Sequence, residues 1–270
     1  MKMWDTTALE ALCKSCLPII ERAGNYIESQ LGKVGKGQIE EKSLFSLVSF
    51  VDKTAEQLLV EGLKPLVPGA GFITEEETPD EAVEEATWVI DPLDGTTNFL
   101  HQLPSFAVSV ALAAFGEIVL GIIYDPNRKE MFYCWKGGGA YCNGRRINAS
   151  NCKGLNEALI ATGFPYVHTD RLRGHFAVVE HLQQRSRGIR RWGASAIDLA
   201  YVACGRFEGY FEYALHPWDV AAGILLIEEA GGKVTDFEGR RGDYSGREVL
   251  AANSFLHAEL LELIRGSFRA

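Results

Sequence analysis

Asp91 and Asp94 stand three residues apart on either side of Pro92-Leu93, and Gly95-Thr96-Thr97 follows them directly. The apolar Trp88-Val89-Ile90 ahead of them reads as the end of a buried strand. Paired carboxylates suit a hard cation, and a glycine followed by hydroxyl residues at a helix start suits a phosphate group. Capping a helix takes one acid, so a pair on a proline-fixed turn asks for more than a cap. Gly-Thr can simply begin a helix, but behind two acids the anion-binding reading is favoured.

Asp52, Glu75 and Asp219 also sit at the edges of apolar stretches. A single acid in such a place is ordinarily a cap or a solvated charge, and for Asp52 alone that plain reading is the better one. If all five acids converge, neighbours about 5 Å apart repel by roughly 3 kcal/mol per pair at an effective dielectric of about 20. Protons or cations must then neutralise them. At neutral pH, ligands that are all oxygen point to Mg²⁺. Zinc would call for histidine or thiolate ligands, and neither HExxH nor paired CxxC spacing occurs in the chain.

The elements that must hold these acids follow from periodicity. Residues 5–31 carry apolar positions at helical spacing, stopped by Gly32 and Gly35 to Gly37. Ser46 to Phe50 reads as a short strand or turn, and a helix is expected from Asp52 to Leu66. Residues 78–86 are acidic, a solvent loop or short helix before the Trp88 strand. Beyond Phe99 a helix can run only to about Leu103, because Pro104 disfavours its continuation. Strands over 106–114, 118–124 and 131–135, with turns at Gly116-Glu117, Asp125-Pro126-Asn127 and residues 137–144, predict an antiparallel meander. In the second half, strands are expected at 158–162, 189–190, 207–213, 233–236 and 249–252. Helices are expected around 170–186, 193–204, 220–230 and 254–265. No repeat, low-complexity run or linker breaks this mixed α/β pattern.

The bulk numbers exclude several classes. A chain of 270 residues with 47% hydrophobic and 23% charged content suits a globular protein with a large core. A net charge of -9 argues against a surface built for nucleic acid. The six scattered cysteines need not form a disulfide framework, and a reducing cytoplasm is the expected setting. Asp5, Glu10 and Lys14 interrupt any signal-peptide core. The most apolar stretch, 106–123, is cut by Gly116-Glu117 and is not a membrane span.

Trp88 through Phe99 resembles the first signature of the inositol monophosphatase family, magnesium-dependent, lithium-sensitive sugar phosphatases. Pro217-Trp218-Asp219-Val220-Ala221-Ala222-Gly223, running to Glu229-Ala230-Gly231-Gly232, resembles its second. Phe72-Ile73-Thr74-Glu75-Glu76 is similar to a further family segment, with Thr74 where the family has glycine. Order and spacing match along nearly the whole chain.

The resemblance implies a layered αβαβα sandwich of the sugar phosphatase type. It would form a single domain over 1–270, with an N-terminal layer to about residue 150 and a C-terminal layer beyond it. It implies that Glu75, Asp91, the Leu93 carbonyl, Asp94 and Asp219 bind two to three Mg²⁺ ions. Glu75 and Thr96 would orient and deprotonate the attacking water, with Asp52 holding an outer water or metal. The Gly95 and Thr96 amides would grip phosphate, and Gly193, Ala194, Ser195 and Glu212 would contact polyol hydroxyls, with Asp219 bordering them. Ala194-Ser195 departs from the family pattern, where threonine or serine precedes alanine. If the contact there is through side chains, the departure bears on polyol preference.

The expected reaction is hydrolysis of a small phosphate monoester, foremost myo-inositol 1-phosphate. Thr97-Asn98 after Asp94-Gly95-Thr96 sets the chain apart from bisphosphate nucleotidases and from typical fructose bisphosphatases. Histidinol phosphate and fructose 1,6-bisphosphate stay open as substrates, and a homodimer is implied. Cys13-Lys14-Ser15-Cys16 reads as two packed helix residues rather than a redox pair. His101 and His216 read as hydrogen-bonding neighbours before general acids. Arg185, Arg187, Arg190 and Arg191 form a basic cluster, most simply a solvated face. It leaves nucleic acid or a transcription-complex partner open as a secondary role.

Overall fold

The computed structural model describes residues 4–43, 46–76, 85–165, 171–241, 244–245 and 247–269. The first helix, α1 (Thr6–Gln30), begins where the Asp5 carboxylate accepts the Ala8 amide at 2.9 Å. Its buried stripe Leu9, Cys13, Cys16, Ile20, Ala23 and Ile27 keeps the spacing that predicts it. A hairpin of β1 (Ile39–Ser43) and β2 (Ser46–Ser49) follows, and α2 (Phe50–Leu63) grows directly from it. The strand alternative expected at Ser46 holds, and the bounds of the helix are corrected. Ser46 to Phe50 is a strand plus the first helical residue, and the helix starts before Asp52 and stops at Leu63. The reason is a capping box: the Ser49 hydroxyl accepts the Val51 amide, and Asp52 reaches back to the Ser49 amide at 2.9 Å.

Next come β3 (Gly71–Thr74), β4 (Thr87–Asp94), the short α3 (Thr96–Leu100), β5 (Ala107–Ala114), β6 (Glu117–Asp125), β7 (Glu130–Trp135), β8 (Gly139–Cys142) and β9 (Arg145–Ile147). The strands from β3 to β9 form one seven-stranded sheet in chain order. Only β3 and β4 run parallel; the rest is the expected antiparallel meander. Residues 77–84 lie outside the described residues, and with them most of the acidic stretch expected to be a loop or short helix.

The second half supplies β10 (Leu159–Thr162), α4 (Leu172–Arg185), β11 (Gly188–Arg190), α5 (Ser195–Ala203), β12 (Gly209–Tyr213), α6 (Pro217–Glu229), β13 (Lys233–Thr235), β14 (Glu248–Ala252) and α7 (His257–Arg269). Its five strands order as β11-β10-β12-β14-β13. The closing helix begins later than expected, because the Asn253 carboxamide oxygen takes the Phe255 and Leu256 amides into a turn first.

Three apolar layers join these parts. Helices α1 and α2 cover one face of the large sheet, burying Ile20, Leu59, Trp88 and Leu120. Helices α5 and α6 fill the space between the sheets with Leu199, Tyr210 and Ile227. Helices α4 and α7 close the far face of the small sheet over Leu182, Leu250 and Leu260. Every residue of α6 from Val220 to Ile227 is buried, as a helix sandwiched between sheets requires. The result is the αβαβα sandwich implied by the resemblance. Among the described residues no helix is long and apolar enough to cross a membrane.

Candidate active site

In an unbroken strand, residues three apart face opposite sides of a sheet. The β4–β5 register shows why Asp91 and Asp94 do not: Asp91 pairs with Ser109 and Asp94 with Ala107, so Pro92 and Leu93 oppose Val108 alone. This bulge adds one residue to the strand and returns both acids to one side. Proline fits there because it has no ladder hydrogen to lose. The turn is pinned by the Leu93 amide, which donates to Asp91 Oδ1 at 2.9 Å.

Asp219 comes from the other half of the molecule. Pro217 opens α6, and the Asp219 carboxylate accepts the His216 amide at 2.7 Å, fixing it in the first helical turn. One carboxylate oxygen from each of Asp91, Asp94 and Asp219 lies within 4.8 Å of the other two. Glu75 follows β3 immediately, and its carboxyl lies against Asp91. Parallel pairing of β3 with β4, Thr74 opposite Ile90, carries it there.

The cluster is electrostatically uncomfortable when empty. Asp91 is held well above the usual carboxylate range by burial first, then by Glu75, Asp94 and Asp219. Burial also raises Asp94, to about 7, although the amides of Ala196 at 2.7 Å and Ser195 at 3.3 Å pull the other way. Asp219 is raised well above its ordinary value by burial and by Asp94. All five candidate ligand groups offer oxygen, including the Leu93 carbonyl beside them. That donor set fits a hard divalent cation such as Mg²⁺.

Beside the acids, Gly95 takes a left-handed turn at φ 90° and starts α3. A Cβ there would stand 2.9 Å from the Ser105 carbonyl and 3.2 Å from the Ala194 methyl, so only glycine fits. The Thr96 hydroxyl lies 3.1 Å from Asp52 Oδ1 and 3.0 Å from the Leu93 carbonyl. Asp52 is buried at the start of α2, raised by burial, with its other oxygen accepting both the amide and the hydroxyl of Ser49.

The residues expected at the polyol end gather on the small-sheet side. Ser195 and Ala196 open α5 and give their amides to Asp94, while the Ser195 hydroxyl lies 3.4 Å from the Asp219 carbonyl. Ala194 is buried, so its methyl faces protein, and Gly193 is half-buried. Glu212, on β12, is raised to about 7 by burial, against the Tyr210 hydroxyl and Arg191.

Sequence reasoning passed over several residues that build this site. The Asn98 carboxamide nitrogen reaches the carbonyls of Ser105 at 2.7 Å and Trp192 at 2.8 Å, tying the large-sheet half to the segment before α5. Its place within the first signature was the available signal. Tyr210 and Asp198 stand near Glu212. Tyr210 precedes Glu212 by two on an expected strand, which puts both on one face. Asp198, an acid within an otherwise apolar helix, was visible in the same way.

Other features fall as expected. Cys13 and Cys16 are buried in α1, and burial pushes the Cys13 thiol up to about 12 and Cys16 higher still, which makes them inert. The His216 backbone amide donates to Asp219, so it is a hydrogen-bonding neighbour through the main chain, while its ring stacks on Trp218 with centroids 4.7 Å apart. Arg185, Arg187, Arg190 and Arg191 are all exposed.

Known proteins resemble this chain throughout its length. The model of the inositol monophosphatase family matches residues 6–268. An inositol-1-monophosphatase of Caulobacter vibrioides is 40% identical over 253 residues, covering 91% of this chain and 98% of its own. A protein named putative Nus factor SuhB, from Neisseria meningitidis serogroup B, is 41% identical over 244 residues, covering 90% and 94%. Among solved structures, the extragenic suppressor protein suhB of Bartonella henselae aligns with a TM-score of 0.90 at 37% identity, covering 94% of this chain and 98% of that one. The Thermotoga maritima IMPase aligns with a TM-score of 0.87 at 30% identity, covering 96% and 98%. With its family signatures, its layered fold and its acid cluster in agreement, the chain belongs to the inositol monophosphatase family.

Proposed function

We propose that the protein hydrolyses small phosphate monoesters to an alcohol and inorganic phosphate with Mg²⁺, and that myo-inositol 1-phosphate is its foremost substrate. The observation that carries this reading is the gathering of Asp91, Asp94 and Asp219 oxygens within 4.8 Å beside the Gly95-Thr96 turn. Glu75, Asp91, the Leu93 carbonyl, Asp94 and Asp219 would hold two to three Mg²⁺ ions. When bound, these ions would offset charge on phosphate and make water a stronger acid.

The chain's own groups supply the rest. Thr96 has one hydroxyl hydrogen for two acceptors, Asp52 and the Leu93 carbonyl, so its lone pairs remain to accept a hydrogen bond from water. Glu75 then takes the proton as the water attacks phosphorus in line with the departing alkoxide. The Gly95 and Thr96 amides, free of intrahelical partners at the start of α3, receive the phosphate oxygens. Gly193, Ala194, Ser195 and Glu212 border the polyol; the buried Ala194 has only backbone to offer there, whereas the Ser195 amide is already given to Asp94 and its hydroxyl is the group left to make a contact. Serine and cysteine nucleophiles are unnecessary, and the buried thiols have raised pKa values that keep them protonated.

The test is phosphate release by the purified chain from myo-inositol 1-phosphate, histidinol phosphate, fructose 1,6-bisphosphate and a non-polyol ester, with and without Mg²⁺. Turnover that requires Mg²⁺ and is best on the inositol ester supports the reading. No turnover on any monoester with Mg²⁺ present would end it.

A second reading rests on the relatives named Nus factor SuhB and on the exposed Arg185, Arg187, Arg190 and Arg191. It gives the chain a further role as a binding factor for RNA or a transcription complex. That role predicts salt-sensitive binding that survives Asp94→Asn and is lost when the four arginines are replaced.

A further inference from the structure

Glu212 is the charged side chain at the polyol end that is not also a candidate metal ligand, and a carboxylate recognises hydroxyl groups only if its own position is fixed. Three features of its surroundings bear on that. Tyr210 and Glu212 are alternate residues of β12, so both side chains leave the same face of the small sheet. The Tyr210 hydroxyl donates to Glu212 Oε2 at 2.5 Å, in the range of strong bonds from a hydroxyl to a carboxylate. Tyr210 is wholly buried and Glu212 nearly so, which leaves little water to compete.

Gly163 makes the room. It follows β10, whose Thr162 pairs with Phe211, so it comes alongside Glu212. A Cβ on Gly163 would overlap the Glu212 carboxyl group at all three of its outer atoms. The φ of Gly163 is not in the left-handed region, so space rather than backbone freedom calls for glycine.

The groups on either side differ in character. Asp198 lies on the protein side, buried, with its Oδ1 lacking a hydrogen-bond partner, while the exposed Arg191 attracts Glu212 from the rim. The exposed Arg191 guanidinium attracts the carboxyl, and the Tyr210 hydroxyl restrains it. Because Oε2 is committed to Tyr210, Oε1 is the oxygen left to accept substrate hydroxyls.

We infer that Tyr210 is the positioning residue for Glu212, that Gly163 reserves the space in which it is held, and that discrimination in favour of polyol phosphates depends on this unit. The inference rests on the phosphatase reading above and extends it to the origin of substrate preference.

Steady-state kinetics of the full chain with Mg²⁺, on myo-inositol 1-phosphate and on p-nitrophenyl phosphate, tests it. The second ester has no polyol hydroxyls. Tyr210→Phe removes one oxygen and should raise KM for the inositol ester about tenfold, while kcat on it and kcat/KM on p-nitrophenyl phosphate stay within about twofold. Gly163→Ala, which displaces the carboxyl group by bulk instead, should produce the same selective loss. A merely structural role for Tyr210 would lower activity on both esters in parallel. Equal loss on the two esters, or no change on either, overturns the inference and leaves the phosphatase reading standing. Wild-type protein that cleaves neither ester overturns both.

Discussion

The Asp94 carboxylate accepts the Ala196 amide at 2.7 Å, so an acid on the large sheet is held by the first turn of a helix lying between the two sheets. The site is thus built across the middle layer. Neither half owns it.

Asp94→Asn tests the role of that carboxylate. An asparagine keeps one carbonyl oxygen, enough for the Ala196 amide but not for the weaker bond from Ser195 as well, and removes the charge offered to a cation. Phosphate release in Mg²⁺ should fall by about 10³-fold or more, the scale seen when a group acting chiefly in the transition state is lost. Melting of the metal-free variant should be no lower than that of the wild type, because one member of a repelling cluster is gone. A variant with near-normal turnover would remove Asp94 from the chemistry.

Stability of the metal-free protein should depend on pH in a particular sense. The buried acids Asp91, Asp94 and Glu212 and the half-buried Asp219 all have folded-state pKa values raised above their ordinary range, Asp94 and Glu212 to about 7. The folded protein therefore binds protons more tightly than the unfolded chain, and the stability this gives is present below about pH 4 and lost as pH rises through about 7. Between about pH 5 and 8 the metal-free Tm should drop, and Mg²⁺ should raise Tm more at pH 8 than at pH 5.5, where protons compete. Scanning calorimetry with EDTA or Mg²⁺ decides it; a metal-free Tm that climbs toward pH 8 and ignores Mg²⁺ contradicts the assignment.

Asp198→Asn should stabilise the protein at alkaline pH. Burial raises the Asp198 pKa well above the ordinary range, then Glu212 and Asp94 raise it further, and its Oδ1 has no partner. An uncharged side chain of the same shape avoids the cost of ionising there, worth about 1–3 kcal/mol at pH 9 and close to nothing near pH 4. Urea unfolding at the two pH values measures the difference, and destabilisation at pH 9 would count against it.

Gly95→Ala should fail for two separable reasons. The φ of 90° costs about 1 kcal/mol for a side chain, and the 2.9 Å approach to the Ser105 carbonyl forces the turn apart. Loss of Mg²⁺-dependent turnover should exceed the loss in stability, since α3 shifts relative to the acids. Urea unfolding and phosphate release on one preparation separate the two effects.

Asn98→Ala cuts the tie between the halves. It leaves the carbonyls of Ser105 and Trp192 without this donor and should cost about 2–3 kcal/mol by urea unfolding. A cost below about 0.5 kcal/mol would mean that other contacts carry the join.

How much of this was legible follows from where each signal lies. The strand that carries Asp91 and the helix opening at Pro217 are local: an apolar run, a proline and an acid declare them within a dozen residues. The antiparallel meander was equally plain, because its turns carry glycine, asparagine and proline. The hairpin of β1 and β2 was not, since Ile39-Glu40-Glu41-Lys42-Ser43 lacks alternation of apolar and polar residues. Nor was β3, only four residues long and recognisable as a strand chiefly through its pairing with β4. The α2 boundary went astray because Asp52, read as the beginning, is the returning arm of a cap centred on Ser49. Convergence of Glu75 and Asp219 on the aspartate pair spans the fold, so periodicity could not show it and only the resemblance implied it.

The bulge at Pro92-Leu93 has a consequence for how the site can change over time. By opposing two residues to one, it frees the Leu93 carbonyl from the regular ladder and turns it toward Thr96, while the Leu93 side chain packs in the core. If that oxygen is a ligand, it is one that no codon encodes. Alanine scanning would pass over it, and drift at position 93 would be limited by core volume rather than by chemistry. What selection can see instead is the length of the segment. Shortening it by one residue would erase a functional atom without removing a single functional side chain.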